Sequence, residues 1–203
     1  MGVEVLYREG EVLAAFQHER VHEPMSGGCS TYRKSLALLP ELMDAARKLM
    51  RAMQYTGVGM VEFKVNPADG SWILIEINGR FWGSLPLSVA AGADFPRYLF
   101  EMLVCGRRDS PQQYRWRLRA QLDARPRWIA RNFLTDRSDP TLVSKPLWQV
   151  LAEFCNLPRE HSDPLTIDDP APAWQEVRQV LIVWRRSSEW TSSVAGLTFS
   201  PSV

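Results

Sequence analysis

The sequence predicts an α+β fold: an antiparallel sheet with helices packed on it, followed by a C-terminal helical appendage. Three observations carry that prediction, namely two strand–turn–strand patterns and one amphipathic helix lying between them. Val3–Arg8 and Glu11–His22 read as strands joined at Glu9-Gly10, a dipeptide suited to a tight hairpin. Residues 23–35 (EPMSGGCSTYRKS) are rich in Gly, Ser and Pro and read as a loop. Pro40 then opens a helix in which Leu42, Ala45, Ala46, Leu49, Met50 and Met53 recur at steps of three and four, forming one apolar stripe. Gly57–Asn66 and Ser71–Asn78 flank Pro67-Ala68-Asp69-Gly70, a strong hairpin turn. A short helix is expected over 84–91, ending at Gly92, and another from Phe95 to Cys105. Beyond Gly106 the pattern loosens. Helical segments are expected near 111–122, 125–135, 145–156 and 172–185, and the Ser-rich residues 187–203 read as a flexible tail. The chain thus divides at 1–105, 106–186 and 187–203.

Composition narrows the class of protein. The 203 residues allow a sizeable core. With 45% hydrophobic and 23% charged residues, the chain has ordinary globular composition. A net charge of +1 gives no overall pull toward nucleic acid or acidic partners. The halves differ in sign: residues 1–105 carry 10 Lys+Arg against 12 Asp+Glu, a net of −2, and the remainder carries +3. Cys29, Cys105 and Cys155 are odd in number and far apart, which argues against a disulfide framework and for a reducing, cytoplasmic setting. No apolar run approaches 18 residues, and no cysteine–histidine cluster suggests zinc.

The chemistry concentrates in residues 74–86, LIEINGRFWGSLP. Leu74, Ile75 and Ile77 read as a buried strand, which Glu76 interrupts, and Asn78 and Arg80 follow at alternate positions. Glu62, set in the apolar run Val61-Glu62-Phe63, falls nearly opposite Glu76 across the hairpin. Two acids facing each other repel by up to ~1 kcal/mol unless a positive charge lies between them. Two readings satisfy the pair. A divalent cation is one, since carboxylate and amide oxygens suit Mg²⁺ completed by water and phosphate, with Arg80 as a planar donor to a phosphoryl group. A structural ion pair to Lys64 or Arg80 is the other.

Further candidates are weaker. His18 and His22 share a strand face without a third ligand, and read as surface side chains or the rim of a ligand site. The loop residues Ser30, Tyr32 and Arg33 either close over substrate, with Arg33 holding a carboxylate, or form a solvated loop. Cys29 has no evident base partner. Trp82 reads as packing. Residues 107–137 hold nine Arg, no Lys and three Asp among aromatic residues. Solvated helix faces explain them, and an anionic membrane surface fits better than nucleic acid.

Glu62 on one strand, a hairpin, then Glu76-x-Asn78-x-Arg80 resembles the metal-binding signature of the ATP-grasp superfamily, in the style of carbamoyl-phosphate-synthase-like and biotin-carboxylase-like ligases. Gly83-Ser84-Leu85-Pro86, Ala90-Ala91-Gly92, Val3-Glu4-Val5 and the loop Ser26-Gly27-Gly28-Cys29-Ser30 are similar to stretches of the same lobe. The resemblance covers roughly residues 2–105 and implies a C-terminal lobe of that fold. It implies Mg²⁺ or Mn²⁺ on Glu62, Glu76 and Asn78, Arg80 on the transferred phosphoryl, and Glu4 at the ribose of ATP. The implied reaction joins a small carboxylate to an amine through an acyl-phosphate. A phosphotransferase and a non-catalytic scaffold that keeps the fold are the alternatives, and the reading leaves room for a homodimer. Gly79 departs from the Pro common in relatives. The phosphate-binding lysines, glycine-rich lid and adenine hinge of that superfamily are not in this sequence, so the chain alone is expected to be inactive.

Overall fold

A computed structural model describes residues 1–22, 32–108, 113–115, 119–121, 148, 160–163, 168–175, 177–179 and 181–182. The strands are β1 (Gly2–Arg8), β2 (Glu11–His22), β3 (Tyr32–Leu36), β4 (Gly57–Val65), β5 (Trp72–Asn78), β6 (Arg119–Gln121) and β7 (Glu160–Ser162). The helices are α1 (Pro40–Ala52), α2 (Leu85–Ala91) and α3 (Phe95–Val104). The strands form one sheet in the order β5-β4-β1-β2-β3-β6-β7. Neighbours are antiparallel except β6 and β7, which run parallel.

The β1–β2 turn takes positive φ at both Glu9 (53°) and Gly10 (81°), the mirror-image turn whose twist suits a two-residue hairpin. β1 lies between β4 and β2, so both of its edges are hydrogen-bonded, and helices cover both of its faces. Val3, Val5 and Tyr7 meet Leu42, Met43, Ala46 and Met50 of α1, together with Val61 and Phe63. On the other face Leu6, Ala14, Phe16 and Met60 pack against Leu87, Ala91, Phe95, Tyr98 and Met102 of α2 and α3. Full burial of a side chain such as Phe16 or Phe95 contributes about 1.5–3 kcal/mol. The stripe predicted for α1 is seated as expected except at its end, where Met53 caps the helix and is 51% exposed. α2 ends at Gly92, and Asp94 caps α3 by accepting from the Arg97 amide at 3.1 Å.

Three expectations are corrected. Residues 32–35 belong to β3 rather than to a loop. Arg33 and Ser35 are polar yet buried, so the strand carries no apolar alternation for pattern reading to find. Residues 119–121 are a strand rather than part of a helix over 111–122, and residues 113–115 are not helical. β5 is an edge strand with no further neighbour among the described residues, and Ile73, Leu74, Ile75 and Ile77 are exposed rather than buried. Its hydrophobicity reads as core because composition does not say where in a sheet a strand sits. The sheet also continues past residue 105 through β6 and β7. Helical residues at 171–175, 177–179 and 181–182 agree with the segment expected near 172–185. The segments expected at 125–135 and 187–203 lie outside the described residues, as does 145–156 apart from helical Trp148. No helix among the described residues is long and apolar enough to cross a membrane.

Candidate functional site: a charged row across the sheet

Strand register places a row of mainly polar and charged residues on the α2–α3 side of the sheet. Glu76 of β5 pairs with Glu62 of β4, Glu62 with Gly2 of β1, Gly2 with His18 of β2, and His18 with Ser35 of β3. Strand alternation puts Glu4, Arg20, Arg33 and Asn78 on the same side, one residue pair along. The row therefore runs from acids at the β5 edge to cations at β2 and β3.

The acidic end is built by the hairpin. The register slips beside Glu62: Glu62 faces Glu76 while Phe63 faces Leu74, leaving Ile75 as the extra residue of a bulge. Bulges of this kind re-aim side chains near functional sites. The sequence-predicted Glu62, Glu76 and Asn78 are brought together. Glu76 Oε1 accepts from Asn78 Nδ2 at 2.6 Å, and Glu62 Oε2 accepts from Arg20 Nη2 at 2.6 Å. The cation on Glu62 is thus Arg20, not the expected Lys64 or Arg80. Arg80 lies in the exposed turn after β5, where Nη1 donates to the Phe81 carbonyl at 2.9 Å. Among the described residues no three His, Cys, Asp or Glu side chains gather as a self-sufficient metal cage. Two carboxylates and one amide oxygen are the donor set of an ion that shares its shell with water or phosphate, so the residues present fit Mg²⁺.

The middle of the row is buried. Glu4 is fully enclosed and accepts from Ser84 Oγ at 2.8 Å. His18 Nδ1 lies 2.9 Å from Glu4 Oε1, without the alignment of a hydrogen bond. Burial raises the Glu4 carboxyl well above the usual range, against the opposing pull of the Ser84 hydroxyl and the Arg33 charge. Burial also lowers the His18 imidazole to about 3, aided by the positive charges of Arg33, the N-terminus and Arg20. Both shifts favour neutral forms, so the pair is a polar contact rather than an ion pair. This overturns the expectation of a surface or rim His18, which is 1% exposed. Gly2 explains how the ring fits: a Cβ there would stand 2.5 Å from His18 Cε1.

Arg33 closes the far end. Its Nη1 donates to the Gly83 carbonyl in the loop before α2, and Nη2 donates to Asp163, just beyond β7. Arg33 Nε, Asp163 Oδ1, Glu4 Oε2 and Trp82 Nε1 are buried polar atoms without a partner among the described residues. Tyr32, also buried, points by alternation to the opposite face of the sheet. Ser30, the side chain of His22 and Cys29 lie outside the described residues, as does most of 107–137. Trp82 packs edge-on against Phe95 at 5.1 Å, as a core residue does. Sequence reasoning missed Gly2, Arg20, Ser84 and Asp163. Arg20 was findable by its shared parity with His18; Asp163 had no local signal.

Solved structures similar to the chain include carboxylases. Biotin carboxylase from Campylobacter jejuni matches at 20% identity and a TM-score of 0.45, over 58% of this chain and 28% of its own. Pyruvate carboxylase from Rhizobium etli matches at 22% identity and 0.44, over 50% of this chain and 10% of its own. The biotin carboxylase domain of Hydrogenobacter thermophilus 2-oxoglutarate carboxylase matches at 19% and 0.44, over 58% and 27%. The chain therefore spans less than a third of each. No curated protein matches the sequence. The model of one family, described as ATP-grasp in the biosynthetic pathway with Ter operon, matches residues 1–125, which hold the whole acidic end of the row and the Arg33 end as far as β6. The chain belongs to that ATP-grasp family.

Proposed function

We propose that the chain supplies the metal- and phosphate-binding lobe of an ATP- and Mg²⁺-dependent ligase that joins a carboxylate to an amine or similar nucleophile through an acyl-phosphate. The observation that carries this reading is the cross-strand pairing of Glu62 with Glu76, beside Asn78, on the open edge of the sheet. A lone structural ion pair accounts for Glu62, which holds Arg20, but among the described residues leaves Glu76 with an amide and no cation. In this reading Glu62, Glu76 and Asn78 hold Mg²⁺, or Mn²⁺ in its place. When bound, the ion neutralises charge on phosphate oxygens and aligns them for transfer. Arg80, exposed beside Asn78, swings from the Phe81 carbonyl to the transferred phosphoryl as a planar donor. Arg33 offers its charge to the carboxylate substrate. Buried Glu4 sets the floor beneath the ATP ribose rather than lying at the surface.

Mg²⁺ titration followed by the fluorescence of Trp72 and Trp82 tests the reading, because Trp72 begins the strand that carries Glu76. A saturable response in the native chain that vanishes in Glu76→Gln is expected. Identical, flat titrations would leave the acids as a structural pair. A phosphotransferase would share the metal response and differ only in needing no amine.

A further inference from the structure

We infer that Asp163 is an internal, displaceable ligand of Arg33, so that the C-terminal segment plugs the carboxylate seat of the site. The inference rests on the reading of Arg33 as the carboxylate-holding residue, and it adds a regulating segment from beyond the span matched by the family. Arg33 is 1% exposed, and a buried guanidinium needs an anion. Glu4, also buried, is held by the Ser84 hydroxyl at 2.8 Å, and no hydrogen bond from Arg33 to it is found among the described residues. The anion is Asp163, whose carboxylate takes Nη2.

The pairing is incomplete in a telling way. A guanidinium and a carboxylate can lock together through two parallel hydrogen bonds. Here Nε of Arg33 and Oδ1 of Asp163 are both buried and both unpartnered among the described residues. Leaving both unpartnered costs stability, and a fixed structural staple would close the second bond. The segment that presents Asp163 is also lightly anchored. β7 has three residues and pairs along β6, itself three residues long and paired to β3. Asp163 carries the same chemistry as a substrate carboxylate, on a strand able to peel from the edge of the sheet. A carboxylate that engages both Nε and Nη2 would outcompete it and free residues 160–163.

The full chain is tested with acetate as the probe and chloride at equal ionic strength as the control. Acetate should accelerate amide deuterium exchange at residues 160–163 severalfold, with chloride inert. Asp163→Asn, which keeps the shape without the charge, should bind acetate at least tenfold more tightly than the native chain, read by ¹³C-acetate line broadening. Unchanged exchange in acetate, together with no gain of affinity in a folded Asp163→Asn protein, would overturn the plug and leave a structural ion pair. Mg²⁺ titration separates the two proposals: loss of the Glu76-dependent metal response alone would sink the ligase reading while leaving the Arg33 seat in place.

Discussion

Gly2→Ala is the smallest change that probes the buried centre of the row. The added Cβ would stand 2.5 Å from His18 Cε1 and 3.0 Å from Nδ1, with Met60 Sδ at 3.1 Å. Carbon atoms rest at about 3.5–4.0 Å, so the ring must retreat by roughly 1 Å. β1 cannot yield instead, because it is hydrogen-bonded to β2 and β4 on both sides. The retreat pulls Nδ1 from its 2.9 Å approach to Glu4. Overpacking of this kind costs about 1–3 kcal/mol, and replacing Gly by Ala in a strand returns about 0.5–1 kcal/mol. A net loss of about 1–2 kcal/mol is expected, read as a lower urea midpoint at constant slope. The same substitution made in His18→Ala should be neutral or stabilising, since the colliding ring is gone. A double-mutant cycle isolates that coupling. Equal losses in both backgrounds, or no loss in either, would refute the role assigned to Gly2.

Three further outcomes follow from the same geometry. Arg20→Gln removes the cation that competes with Mg²⁺ for Glu62, so the metal should bind a few-fold more tightly, about 1 kcal/mol, in a calorimetric titration; weaker binding would show that Arg20 supports the metal instead. The folded-state pKa of His18, about 3, lies below its ordinary 6.5, so its contribution to stability is complete above pH 6.5 and is lost as acid is added from there toward 3, at up to ~1.4 kcal/mol per pH unit. Glu4 and Asp163 are raised by burial and act with the opposite sign, so the test is a difference: the native chain should lose stability relative to His18→Gln between pH 7 and pH 5, and a constant difference would reject the neutral buried imidazole. On the proposed ligase reading, with a nucleotide-binding lobe supplied, Arg80→Lys should keep near-normal ATP affinity while acyl-phosphate formation falls about 10²–10³-fold in single turnover, because a point charge replaces a planar donor; an intact rate would remove Arg80 from the chemistry.

The two hairpins, α1, α2 and α3 were legible because each carries its own local signal: a turn dipeptide, a period or a cap. The pairing of Glu62 with Glu76 was legible for a related reason, since the two are tied by a single hairpin and their register follows from the turn. β3 was not, because Arg33 and Ser35 are buried yet polar, so no apolar pattern marks the strand. Arg20 and Gly2 depend on which strands flank β1, a fact of topology that no local window holds. Asp163 lies 130 residues from Arg33, and nothing near it in sequence marks its partner. The exposure of β5 was misread for the same reason: an edge and a centre can share one composition.

The central claim is that the paired acids form a site for a divalent ion shared with phosphate. Water-proton relaxation of Mn²⁺, measured with the native chain and with Glu76→Gln, tests it most directly when ATP is added as the second ligand. The native chain should enhance relaxation through bound Mn²⁺, ATP should tighten that binding, and Glu76→Gln should abolish both effects while remaining folded. Mn²⁺ that binds equally well to both proteins, or binding that ATP leaves unchanged, would contradict the claim.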